Sequence, residues 1–167
     1  MPTAPKRPRQ ELMWIDHFSL LPGDPSVTTT FNAVNSGVGG GLTALVVHSS
    51  TTGENAQGGG NKVVQTALEV PPHFDIVGVR ICYELTSKRT HISQVRIAQV
   101  QNPPATASVL LDDQTNHTNP GPLCVDVKSP KIDPRKGALL FSLRVNFGNT
   151  SDRIAIRGVA LHLAPRP

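Results

Sequence analysis

The sequence predicts an all-β domain, an antiparallel β-sandwich of jelly-roll or Greek-key type with about ten short strands. Three observations carry this expectation. Apolar and polar residues alternate with period two over runs of up to ten residues, a pattern that has no counterpart at the 3.6-residue period of a helix. The chain holds 29 glycines and prolines, clustered between the apolar runs where turns are needed. No stretch carries the Lys-, Glu-, Leu- and Ala-rich composition of a helix surface.

The C-terminal pair gives the sharpest pattern. Ala138–Phe147 places Leu139, Phe141, Leu143, Val145 and Phe147 on one face and Ser142, Arg144 and Asn146 on the other. After the turn 148–152, the strand Arg153–Leu163 starts with Ile154 and Ile156 inward and continues with Val159, Leu161 and Leu163. The parity changes across Arg157-Gly158, and one inserted residue at a glycine predicts a β-bulge there.

The earlier elements follow from the same criteria. Trp14–Leu20 reads as the first strand, followed by the turn at 22–25. Val27–Val34 alternates Val27, Thr29, Phe31 and Ala33 inward, and the glycine run 36–41 breaks it. Leu42–His48 is the next strand, Ser49–Asn61 a long flexible loop, and Lys62–Val70 the strand before Pro71-Pro72. Phe74–Leu85 puts Val77, Val79, Ile81, Tyr83 and Leu85 on one face. Ile92–Val100, a short Ser108–Leu111, a polar segment Asp112–Pro122 and the strand Leu123–Val127 come next, with Ser129–Gly137 as a two-proline loop. One-sided alternation gives each sheet a buried face and a wet or contact-making face.

The domain organisation is an extended basic, proline-rich arm over residues 1–11 and a single sandwich over 12–165. Of the formal charge of +4, the arm holds +2 through Lys6, Arg7 and Arg9 against Glu11, so the body is nearly neutral. Such a body offers no broad footprint for nucleic acid, which is suggested only weakly through the arm cations Lys6, Arg7 and Arg9. No run reaches the roughly 18 apolar residues of a membrane-spanning helix. The basic N-terminus has no apolar segment behind it, so no signal peptide is expected, and the default location is cytoplasmic or particle-associated.

Chemistry-bearing residues form no recognisable motif. Cys82 and Cys124 fall out of phase with the apolar faces of their strands, so both point outward; two unpaired thiols are the favoured reading, and a disulfide the alternative. His17, His48, His73, His91, His117 and His162 are scattered without metal-ligand spacing. Asp112-Asp113 beside Asn116 suits a polar turn better than a calcium site. No nucleophile elbow, phosphate loop or carboxylate pair is present, so neither enzyme activity nor a cofactor is expected. The sequons at Asn116 and Asn149 read as turns. Aromatic residues are 4% of the chain, which weakens an aromatic platform for sugars or bases and leaves Trp14, Phe18 and Phe74 as the rings outside the buried phase.

Two functions follow as expectations. The first is a non-catalytic structural protein that self-associates into a homo-oligomer or a larger, capsid-like particle through its edges and its arm; apolar outer segments such as Val63–Ala67 and Ala98–Val100 would suit contacts. The alternative is a carbohydrate- or surface-ligand-binding sandwich that uses the Gly-rich loops 36–41 and 53–61.

Overall fold

A computed structural model describes residues 9–31, 44–101 and 106–167. Along the chain these residues form β1 (Glu11–Trp14), β2 (Leu21–Pro22), β3 (Val27–Thr30), β4 (Leu45–Ser49), β5 (Val63–Leu68) and β6 (Phe74–Leu85). There follow β7 (His91–Gln101), β8 (Ala107–Asp113), β9 (Leu123–Ile132), β10 (Gly137–Asn146) and β11 (Ile154–Pro165). The strands pair antiparallel in two sheets. One has the order β3-β4-β11-β6-β9, and β1 lies beside the second half of β11; the other has the order β2-β5-β10-β7-β8. The fold is therefore the antiparallel β-sandwich that the alternation predicts.

The inward faces meet in one core. Leu139, Phe141, Leu143 and Val145 of β10, the central strand of the five-stranded sheet, and Phe147 just after it are buried in one cluster with Val79, Ile81, Tyr83, Val159 and Leu161 of the other. The Gly158 bulge is present: Ile156 stands opposite Tyr83 and Gly158 opposite Cys82, which leaves Arg157 as the extra residue.

Several local expectations need correction. Trp14–Leu20 is not one strand. β1 ends at Trp14 because the Asp16 carboxylate accepts the Phe18 N–H at 3.0 Å and starts a one-turn 3₁₀ helix, His17–Ser19. The chain then enters the other sheet at β2. Val77 does not face inward: it is the extra residue between Ile76, opposite Leu163, and Gly78, opposite His162, so Ile76 takes the inward place. Phe31 is 70% exposed, because β3 stops at Thr30 and the alternation stops with it; Ala33 and the loop 36–41 lie outside the described residues. Ser129–Ile132 belongs to β9 rather than to a loop. Pro130 is tolerated there since β9 is an edge strand whose N–H groups need no partner on that side.

The segment 49–61 is held at several points. Gly53, at φ 82°, bridges Phe147, and Asn55 bridges Asn61. Lys62 is fully buried, and its ammonium donates to the carbonyls of Thr51, Thr52 and Gly53 at 2.7, 3.2 and 3.1 Å. Asp24, also buried, accepts the N–H groups of Ser26 and Gln57 and ties this loop to the turn before β3.

Cys82 and Cys124 stand directly opposite each other on β6 and β9 and are joined in a disulfide, with Cα atoms 4.0 Å apart. The reading that favoured two unpaired thiols rested on the lack of a secretion signal. Strand register, which is not visible locally, brings the pair together on the outer face.

Candidate functional site

The register places the outward residues of the five-stranded sheet in rows that cross the strands. One row runs Gln65–Ser142–Arg96–Asp112, its neighbour Val63–Arg144–Gln94, and a third Ala67–Leu140–Ala98–Val109. Small residues, Ser142 and Ala98, sit between longer ones, so the face is hollow along its middle. The hollow is a groove of about 290 Å³ with Asn61, Gln65 and Arg96 on its walls and Val63, Ala98 and Leu140 on its floor.

The polar walls are held in place by one another. Gln94, 4% exposed, donates from Nε2 to Asp112 Oδ1 at 2.6 Å, and Arg96 donates to the same oxygen from Nε and Nη2 at 3.3 Å. Burial works to raise the Asp112 pKa, but bonds from Gln114, Arg96 and Gln94 outweigh it and keep the carboxyl below its usual range. Arg144 donates from Nε to Ser93 Oγ at 2.9 Å and lies 3.5 Å from Glu54 on the 53–61 loop. The groove is thus charge-balanced and rigid, with the Gln65 amide and the Ser142 hydroxyl left to meet a ligand.

The opposite outer face has a different character. Trp14 on β1 is 56% exposed, and beside it Arg80 donates to Asp126 from Nε at 2.8 Å and from Nη2 at 3.0 Å. His162 Nε2 lies 2.8 Å from the same carboxylate. The Arg80 bond first, and then the His162 bond, hold the Asp126 carboxyl down at about 2. Its folded-state pKa is lower than that of the unfolded chain, so the stabilisation is complete above about pH 4 and disappears as pH falls through about 2. Denaturant midpoints followed from pH 5 to pH 2 should therefore fall less steeply in Asp126→Asn than in the parent chain; parallel curves would contradict this.

The residues singled out from the sequence are distributed as follows. Cys82 and Cys124 form the disulfide on the six-stranded face. Arg9 is exposed at the start of the described chain, and Lys6 and Arg7 lie outside it. Asp113 accepts from Thr115 N and Oγ1 at 3.2 and 2.7 Å, the bonding of a polar turn. Among the described residues no three His, Cys, Asp or Glu side chains are grouped to hold a metal ion. The sequence singles out neither Gln65 nor Arg96, and it marks Ser142 only as an outward residue of its strand. Their only local signal is polarity in the outward phase, which solvated strand positions share.

No family model and no curated protein matches the chain. Solved structures do. The chain is similar to the CBM22-1–GH10 modules of the Clostridium thermocellum endo-1,4-beta-D-xylanase 10B complexed with xylohexaose, at a TM-score of 0.58 and 6% identity. That match covers 98% of this chain and 29% of that one, so the chain spans under a third of its length. It is also similar to the CBM22-1 xylan-binding domain of Paenibacillus barcinonensis Xyn10C, at a TM-score of 0.57 and 11% identity, over 98% of this chain and 100% of that one. The class that the architecture defines is the β-sandwich found in carbohydrate-binding modules.

Proposed function

We propose that this protein is a non-catalytic glycan-binding module that holds an uncharged polysaccharide across the outer face of its five-stranded sheet. The observation that carries the reading is the groove itself, a rigid polar hollow with an apolar floor on the face that the fold leaves open. Amide and guanidinium groups suit such a ligand because each presents paired donors, or a donor with an acceptor, to neighbouring hydroxyls. The floor of Val63, Ala98 and Leu140 gives the C–H face of a sugar ring an apolar surface. Because Arg96 and Arg144 face Asp112 and Glu54, the groove carries little net charge and favours a neutral chain.

The fold supports this reading over self-association. The edges and the arm, which suggested a homo-oligomer or a particle, find no support in the comparisons. In this reading the loop 53–61 contributes to the site through Asn61, which lines the groove, and through Glu54, which lies 3.5 Å from Arg144.

Calorimetric titration with xylo-oligosaccharides and a panel of other neutral glycans tests the proposal. Gln65→Ala and Arg96→Ala should each weaken binding by about 3–10-fold, the worth of one lost hydrogen bond, without lowering the melting temperature. Affinities equal to that of the parent chain, or no binding to any neutral glycan, would overturn it.

A further inference from the structure

The face opposite the groove carries a second set of aligned groups. Register places Trp14, Ala160, Arg80 and Asp126 in one row across β1, β11, β6 and β9, and Leu12, His162, Gly78 and Lys128 in the next. With strands about 4.8 Å apart, Trp14 and Arg80 are separated by about 10 Å at their Cα atoms. Ala160, fully buried between them, has only a short side chain, over which its longer neighbours close.

Two glycines shape this surface. The Trp14 ring lies over Gly158: a Cβ there would come within 2.9 Å of Cζ3 and 3.4 Å of Cε3. The indole therefore rests against backbone at the Gly158 bulge while more than half of the residue stays exposed. Gly78 opens a depression of about 280 Å³ between His162 and Lys128, with Gln10 also at its wall. A Cβ on Gly78 would meet the Val127 carbonyl at 2.8 Å and the His162 ring at 3.3 Å.

The charges around the depression are unequal. Asp126 is the one carboxylate among the described residues lining it, and it is taken up by Arg80 and His162. Lys128 is exposed and enters no ion pair among the described residues, whereas exposed Arg9 and Glu11 flank Gln10 with opposite charges. A face with an exposed ring and one unpaired cation, Lys128, differs from the charge-balanced, ring-free groove on the other side.

We infer that the six-stranded face is a second binding site, for an acidic oligosaccharide, one ring of which stacks on Trp14 while the carboxylate of another unit is met by Lys128. The negative face of the indole attracts the polarised C–H bonds of the ring, and the Lys128 ammonium supplies attraction that salt weakens. The inference rests on the glycan-binding reading only for the class of ligand, since the two sites share no residue.

Trp14 is the chain's single tryptophan, so its fluorescence reports this face and not the groove. Titration of the full chain with oligogalacturonate should shift the emission and shield it from iodide. A neutral xylo-oligosaccharide of equal length should leave the emission unchanged, whether or not it binds in the groove. Calorimetry should show oligogalacturonate affinity reduced at least about tenfold in Trp14→Ala and in Lys128→Ala, weakened by added salt, and unaltered in Gln65→Ala. Gly158→Ala, which lifts the ring while keeping every charge, should give an intermediate loss. Absence of oligogalacturonate binding, binding without a fluorescence change, or equal binding by Trp14→Ala would overturn the inference. Failure of the groove is read separately, from the neutral glycans.

Discussion

Lys62→Met should be among the most destabilising single substitutions in the chain, lowering the unfolding free energy by about 2–4 kcal/mol. The methionine fills most of the space but donates nothing. The carbonyls of Thr51, Thr52 and Gly53 now bond the Lys62 ammonium, and each would lose that donor, although Gly53 keeps the Phe147 N–H and Thr51 the Ser49 hydroxyl. A lost partner at a buried polar group costs about 1–3 kcal/mol, which relaxation and entering water reduce. Burial pushes the Lys62 ammonium below the usual lysine range, while the Asp24 charge acts in the opposite sense. The folded-state value being the lower, protonation penalises the folded state at neutral pH, and the penalty is relieved as pH rises toward the ordinary lysine range. The three carbonyl bonds offset that penalty, so the ammonium is held by hydrogen bonding more than by its charge. Urea midpoints of parent and variant measure the loss, and Lys62→Arg should restore little of it because a planar fork cannot converge three bonds at one point. An unchanged midpoint would show that the carbonyls find other donors.

Removal of the disulfide is the second large expected effect. Cys82 and Cys124 are 42 residues apart in sequence, and a cross-link over that distance restricts the unfolded chain by about 4 kcal/mol in the loop-entropy model. The loss should be local before it is global. β9 is an edge strand, bonded along one side to β6, so reduction should raise amide exchange first over Leu123–Ile132. β5, β7 and β10 belong to the other sheet and should retain their protection. Intact mass should rise by two hydrogens on reduction, and the double variant Cys82→Ser/Cys124→Ser should melt at a lower temperature than the oxidised parent chain. An unchanged mass would mean that the thiols are unpaired in solution.

These two sites differ in how legible they are in the sequence. The cysteines are visible as out-of-phase residues on two strands, and their outward orientation follows from alternation alone. Their pairing requires β6 to lie next to β9 in the right register, and nothing near either cysteine encodes that. Lys62 reads as the polar start of a strand; only the return of residues 51–53 over it makes it a buried cation. The same limit applies at the groove. Gln65, Arg96 and Ser142 come from three strands separated by up to 77 residues, and become one wall when β5, β10 and β7 lie side by side.

Local errors have equally definite causes. Strict alternation places Val77 inward because Val77 is itself apolar and keeps the pattern unbroken through the bulge, so Gly78 is not accompanied by a visible parity change. Phe31 was placed inward because the alternation was extended past the end of β3. By contrast, the Gly158 bulge could be read, since a parity change and a glycine coincide there.

By itself, then, the sequence determined the class of fold, the strand-rich order and the side of each long strand that is buried. Those properties depend on period-two patterning and turn chemistry, which act over a few residues. Tertiary structure alone decided which strands are neighbours, and with that the disulfide, the Lys62 cage, the groove and the Trp14 face. Each of these depends on register between segments distant in sequence, where hydrogen-bonded ladders and the packing of two sheets select one alignment out of many.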